Sequence, residues 1–270
     1  MKGEFHIHTV YSDGEYTVDY ILNYLKGNVD YFCITDHDSI IGSIEAYNKA
    51  KEYGLKALIG VEISTYLGKE SVHILGYFKN EADTMQIRPF LDEIRKQRID
   101  RLFKISDILK IHFDFDLNVD PMLVRGSITR GTIAHYMKIQ APELDNSVIF
   151  GKMIGDKSPA YVPVNKIEPQ VAIDLIHKSG GVAILAHPVK LKHTDYKMYL
   201  DMGIDGYEAI YASNREEQTK ELIDFCNEKG IVYTAGTDFH YFNCNNHGDL
   251  LDVCLEGEAL ERFIKKVNEG

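Results

Sequence analysis

The sequence predicts an α/β fold: a mainly parallel sheet, closed or nearly closed as a barrel, carrying an α-helical insert. Three observations predict it. Short apolar runs alternate with helix-period segments over residues 1–82 and again over 169–270, which together make the barrel. That rhythm breaks over 83–168, which reads as the helical insert capping the barrel's mouth. Polar residues of ligand type stand at the ends of the expected strands.

The elements follow in order. Glu4–His8 is a strand, and Thr17 caps a helix running toward Lys26. Tyr31–Thr35 is the second strand, followed by a helix over Ser43–Tyr53 that stops at Gly54. Ala57–Ile63 and Val72–Phe78 are further strands. Ile87–Ile111 is one long basic helix opening the insert, with several shorter helices after it. The alternation resumes with a helix over Gln170–Lys178, the pair Gly180-Gly181 and a strand over Val182–Ala186. A helix around Asp195–Met202, a strand over Gly206–Ile210, a helix from about Asn214 to Glu228 and a strand over Ile231–Ala235 complete the pattern.

Composition narrows the class. With 270 residues, 44% hydrophobic and 26% charged, the chain has the make-up of a soluble globular protein. No stretch approaches the ~20 apolar residues that span a bilayer. The start lacks a basic-then-apolar signal segment, so export is not expected. Cys33, Cys226, Cys244 and Cys254 lie far apart with no CxxC pair, as reduced cytoplasmic thiols would. A formal net charge of −11 argues against duplex nucleic acid and anionic membrane as partners. It leaves room for a small phosphorylated substrate, because a local metal charge outweighs the global field.

The chemistry lies at the strand ends. His6 and His8 form His-x-His on the first strand, where side chains two apart point the same way and can meet one ion. Asp13 follows in Tyr-Ser-Asp-Gly, Asp36 and His37 in Thr-Asp-His-Asp, and Glu62 in Gly-Val-Glu-Ile-Ser. His73 lies in Val-His-Ile-Leu-Gly-Tyr, His187 in Ala-His-Pro, and Asp238 and His240 in Gly-Thr-Asp-Phe-His. Singly, each has a structural reading. His73 reads as a hydrogen-bonded core residue, Asp13 as a turn residue, His187 as a strand terminator and Asp238 as a helix cap. Jointly they can converge, because the carboxyl ends of parallel barrel strands share one face, and imidazole with carboxylate and no thiolate suits Mn, Zn or Fe.

These motifs resemble those of the PHP (polymerase and histidinol phosphatase) superfamily, and the resemblance covers nearly the whole chain. Within it the chain looks most like stand-alone phosphoesterases acting on nucleoside 3′,5′-bisphosphates and short oligonucleotide ends. The resemblance implies a distorted (β/α)7 TIM-like barrel and two or three divalent metals. One ion would take His6, His8, Glu62 and Asp238; a second Glu62, His73 and His187; a third Asp13, His37 and His240. Asp36 is expected to orient a ligand rather than be one. Three such ions against the three carboxylates leave the site at about +3, and a water among them has its pKa lowered toward ~7.

The insert extends the resemblance. Ser127-Ile-Thr-Arg-Gly-Thr-Ile-Ala-His places Arg130 at the family's phosphate-binding arginine, a residue whose planar fork grips two phosphate oxygens. The family more usually follows that arginine with Pro-His, where this chain has Gly131-Thr132, and His135 stands where a second arginine is common. Those departures put substrate identity in question. Tyr211, Asn214 and Arg215, after Glu208-Ala-Ile, are within the family's reach of substrate; helix capping is an equal reading for Asn214 and solvation for Arg215.

The reading is a metal-dependent phosphoric ester hydrolase acting on a nucleotide. Its alternatives are a histidinol-phosphate-type phosphatase, an amidohydrolase-type C–N hydrolase and a non-catalytic metal-stabilised module. An amidohydrolase typically carries a bridging modified Lys, and no Lys stands where Glu62 does. A non-catalytic module would have lost ligand residues, and none is lost.

Overall fold

The computed structural model describes residues 1–244 and 247–269. The strands are β1 (Lys2–Ile7), β2 (Tyr31–Ile34), β3 (Lys56–Leu67), β4 (Glu70–Phe78), β5 (Val182–Leu185), β6 (Gly206–Tyr211), β7 (Val232–Gly236) and β8 (Leu255–Glu256). They form one sheet in the order β7-β6-β5-β4-β3-β2-β1-β8. The sheet nearly closes as a barrel: Ile7 bridges to Phe239, just past β7, and the His8 N–H donates to the Phe239 carbonyl at 2.8 Å.

Pairing is parallel through β1, β2 and β3 and through β5, β6 and β7, but β4 runs antiparallel to both β3 and β5. Only Gly68 and Lys69 separate β3 from β4, and two residues can reverse a chain but not carry it back to a parallel start. Gly68 takes φ +62°, the left-handed conformation that turn requires. The hairpin also corrects the expected end of the third strand. β3 does not stop at Ile63, because its ladder with β4 runs on to Leu67 opposite Glu70.

Helices clothe the sheet. In α1 (Val18–Leu25) the Thr17 hydroxyl accepts the Tyr20 N–H, and Val18, Ile21, Leu22 and Leu25 are buried with Ile7, Phe32 and Ile34. That i, i+3, i+4, i+7 stripe is what holds the helix, since eight residues alone would not stay helical in water. The others are α2 (Ile41–Lys49), α3 (Arg88–Phe113), α4 (Asp120–Leu123), α5 (Arg130–Gln140), α6 (Asn146–Val148), α7 (Pro169–Lys178), α8 (Met198–Asp201), α9 (Glu216–Lys229) and α10 (Gly257–Glu269). α8 is shorter than the sequence pattern implied. α10 packs Leu260, Phe263 and Val267 into the cluster of Phe5 and Tyr77, with Phe263 edge-on to both rings. It seals the barrel on the side where β1 begins.

α3 is the bridge to the helical segment. Leu91 and Ile94 in its first half join the barrel's hydrophobic cluster. Leu102, Ile105 and Leu109 in its second half join a separate cluster with Met122, Ile133, Met137 and Ile149. The two anchorages hold α3 over the barrel.

Beneath the site, Glu4 is fully buried; its carboxylate accepts the Thr237 hydroxyl and, at 2.9 Å, the Leu251 N–H. Burial pushes its carboxyl up from 4.5 to about 8, against the pull of those hydrogen bonds. The native state therefore keeps a proton that the unfolded chain has released. The associated stability is complete below about pH 4.5 and is lost as pH rises through about 8. Glu4→Gln, which mimics the protonated group, is expected to flatten that decline, so that its stability relative to the native protein rises between pH 5 and pH 8. Urea unfolding of both proteins at pH 5 and pH 8 checks it. Parallel pH dependence in the two would refute the assignment.

Candidate metal centre

Glu62 sits in the middle of β3 with no solvent exposure, where an unpartnered carboxylate is strongly unfavourable. Five imidazoles surround it. Its Oε2 lies 3.3 Å from His6 Nε2, 3.1 Å from His8 Nε2 and 3.0 Å from His37 Nδ1. Its Oε1 lies 2.8 Å from His73 Nδ1 and 3.2 Å from His187 Nε2. Asp238 Oδ1 is 3.5 Å from His6 Nε2 and 3.2 Å from His8 Nε2. Asp13 Oδ1 is 3.3 Å from His240 Nε2, and its Oδ2 is 3.9 Å from His37 Nε2. All nine ligand-type residues singled out in the sequence thus meet in one cluster at the barrel rim.

Their atoms do not satisfy one another. His6 Nε2, His8 Nε2, His37 Nδ1, Asp13 Oδ1 and Glu62 Oε2 are buried yet have no hydrogen-bond partner among the described residues. Buried polar atoms are nearly always bonded, so five converging without partners mark a place built for cations. Among the described residues, four groups hold their donor atoms within 4.8 Å of one another: His6, His8, Glu62 and Asp238; His8, Asp13, His37 and His240; His37, Glu62 and His73; Asp238, His240 and His247. The donor set fits divalent metal ions.

Electrostatics prepares the carboxylates. Burial opposes their charge, yet His37 and His6 hold Glu62, His37 and His240 hold Asp13, and His6 and Lys190 hold Asp238 well below the usual carboxylate range. Burial lowers His187 and keeps its imidazole neutral, the form that binds a metal.

Residues 4–130 match the PHP domain family. Over that stretch the chain is similar to a PHP domain. It is 29% identical over 250 residues to a 5′-3′ exoribonuclease of Haemophilus influenzae, covering 89% of this chain and 90% of that one. It is 25% identical over 247 residues to a 3′,5′-nucleoside bisphosphate phosphatase of Chromobacterium violaceum, covering 88% and 86%. A solved structure from Bifidobacterium adolescentis, assigned as a metal-dependent phosphoesterase, superposes with a TM-score of 0.83 at 23% identity, covering 98% of this chain and 96% of that one.

Two residues reach the metal cluster by routes unlike those expected. His73 arrives from the first half of antiparallel β4, and Glu62 from the middle of β3 rather than its end. Two others sit on strained backbone: His187 at φ +30° and Asp238 at φ +55°, conformations that non-glycine residues adopt at a cost and that cluster at functional sites.

The cluster rests on supporting residues. Asp36 faces away from it, accepting Thr9 N–H and hydroxyl at 2.8 Å and the Ser12 hydroxyl at 2.7 Å. Thr129 caps α5 and donates its hydroxyl to Asp13 Oδ2 at 2.9 Å, while Thr132 completes the capping box. Gly131 stands where a Cβ would come within 3.4 Å of Asp13. Sequence reasoning missed four more: Lys190, His247, Glu208 and Gly236. The outer oxygen of Asp238 accepts Lys190 Nζ at 2.9 Å, His247 Nδ1 at 2.8 Å and the Tyr211 hydroxyl at 3.2 Å. Glu208, fully buried, accepts His6 Nδ1–H at 2.9 Å and the His187 N–H at 2.8 Å, so it sets the tautomer of one imidazole and the backbone of another. Gly236 is there because a Cβ would meet Glu208 and His6 below 2.5 Å. Glu208→Gln should lower metal affinity about 10–100-fold with the fold intact, measured by competition with a fluorescent chelator. Equal affinity would show that the carboxylate does not orient His6.

Two cavities flank the cluster and share His37 and His73. One, of about 390 Å³, is lined by Asp13, Arg98, Arg101, Lys104 and Arg130; the other, of about 610 Å³, by His187, Lys190, Asp238 and His247. Arg130 reaches Asp156 at 2.6 Å and lies over the Tyr161 ring. The remaining substrate candidates lie off these linings. His135, on α5, faces Glu15 at 3.6 Å. Asn214 turns its amide back to the Ala209 carbonyl and the Thr219 hydroxyl, bracing the turn before α9, and the exposed Arg215 is the helix cap.

Proposed function

We propose that this chain is a metal-dependent phosphoesterase that hydrolyses a phosphate ester of a nucleotide, such as a nucleoside 3′,5′-bisphosphate or a short oligonucleotide end. The observation that carries the reading is the set of five buried, unpartnered donor atoms beside a cavity that two of their residues, Asp13 and His37, line together with four cationic side chains. The relatives named as an exoribonuclease and a nucleoside bisphosphate phosphatase support the same substrate class.

We assign two or three divalent ions, Mn, Zn or Fe, to this site. His6, His8, Glu62 and Asp238 would hold one, Glu62, His73 and His187 a second, and Asp13, His37 and His240 a third. When bound, such ions supply Lewis acidity and a water of lowered pKa. The protein's part is to receive and orient the phosphate. Arg130 presents its fork to the non-bridging oxygens, exchanging Asp156 for the ligand. Arg98, held by Asp38 and Ile128, adds charge without moving. Residues 83–168, read as a cap, keep bulk water from the smaller cavity.

The test is a phosphate-release screen on Mn-loaded protein, with nucleoside 3′,5′-bisphosphates, short RNA and DNA ends, histidinol phosphate, an aryl phosphate and a set of amides. Release from nucleotides above all others is expected. Preference for histidinol phosphate, or turnover of amides alone, would replace this reading with one of its alternatives.

A further inference from the structure

Arg101 stands apart from the other cations of the smaller cavity. It lies on α3, is 7% exposed and lines the same space as Asp13, His37 and His73 of the metal cluster. Its Nε donates to the Val162 carbonyl at 2.7 Å, which fixes the plane of the guanidinium. Arg98 is paired with Asp38 and Arg130 with Asp156, but among the described residues no carboxylate pairs with Arg101. The charged groups acting on it most are the like charges of Arg98 and Arg130. Lys104, three residues on, lines the cavity beside it.

A buried guanidinium without a counter-ion is unfavourable unless an anion completes it. Its two terminal nitrogens are the donors left over, in the geometry that grips phosphate oxygens. A volume of about 390 Å³ is that of a small-molecule site, so one ligand can touch both the cluster and Arg101. Tyr66, Val162 and Pro163 give the cavity an apolar wall for a base or sugar.

We propose that Arg101, with Lys104, binds a second phosphate of the substrate, one nucleoside away from the phosphate that is hydrolysed. This rests on the phosphoesterase reading and deepens it: the preferred substrate carries two phosphates. The second phosphate is either the other ester of a mononucleotide bisphosphate or the next phosphate along an oligonucleotide. The competing role for Arg101 is purely structural, tying α3 to Val162.

Metal-loaded native protein, Arg101→Gln and Arg101→Lys are compared by kcat/KM on two pairs: adenosine 3′,5′-bisphosphate against adenosine 3′-monophosphate, and a 5′-phosphorylated dinucleotide against the same dinucleotide without that phosphate. The native protein should prefer the member with the extra phosphate, and the pair showing the larger preference identifies its source. Arg101→Gln should shrink that preference about 10–100-fold. Arg101→Lys keeps a buried charge but no fork, and should retain only part of it. An unchanged preference in Arg101→Gln, or in Arg101→Lys should the Gln variant fail to fold, overturns the proposal. So does an equal fall on both members of each pair. Calorimetric binding of adenosine 3′,5′-bisphosphate to chelator-treated protein separates the two readings. Binding lost in Arg101→Gln without turnover of any phosphate ester sustains the subsite and sinks the phosphoesterase. No binding by the native protein, with phosphate release intact, does the reverse.

Discussion

Glu62→Gln is expected to lower kcat/KM on the order of 10³-fold or more and to remove most of the bound metal. The substitution conserves volume, so the packing of β3 against β4 is kept. What changes is the sign of one contact. A carboxylate at 2.8–3.3 Å from five ring nitrogens becomes an amide that turns two N–H donors toward groups needing an acceptor or a shared cation. Breaking a buried charge pair from one side costs about 3–5 kcal/mol, and here one group serves every imidazole at once. The check is metal analysis by mass spectrometry alongside steady-state rates, with far-UV circular dichroism to establish folding. A folded Gln variant that retains its metal and its rate would dismantle the proposed centre.

Chelation is expected to lower the melting temperature by on the order of 10 °C. An ion present at a thousand times its dissociation constant stabilises the native state by about 4 kcal/mol, and each kcal/mol moves a chain of this size by about 2–4 °C. The effect has a sign in pH. Burial works against protonation of His37, but Glu62 and Asp13 overcome it and push the imidazole up to about 10. A cation must displace that proton, so metal binding releases protons and tightens as pH rises from about 6 to 8. Scanning calorimetry with and without chelator at both pH values measures it. Identical melting curves, or a metal effect that weakens toward pH 8, would show that the cluster is held by its protons instead.

Some of this was legible because it is local. A strand alternates its side chains, so His-x-His declares a shared face within three residues, whereas Asp238 and His240 lie past the end of β7 with Asp238 in the left-handed region; β1, β2 and β5 to β7 begin and end close to where their apolar runs do. The short turn at Gly68-Lys69 is equally local, yet the alternation of strands masked its consequence that β4 reverses. Other features depend on residues far apart in the chain. Glu208 meets His6 across 202 positions, and Arg98 reaches Asp38 across 60. Neither pair has any signature in its own neighbourhood. His247 and Lys190 look like ordinary loop residues until Asp238 is placed between them.

The amino-acid order alone determined the kinds of ligand, the strand–helix alternation and the helical stretch between its halves, since periodicity and residue chemistry act over a few positions. Tertiary structure decided which groups meet and which stay unpaired: Glu62 at the centre of five imidazoles, Glu208 behind two of them, and Arg101 buried with, among the described residues, no carboxylate paired to it. Those are properties of burial and of distance in space. A side chain's solvent and its neighbours exist only once the chain has closed around it.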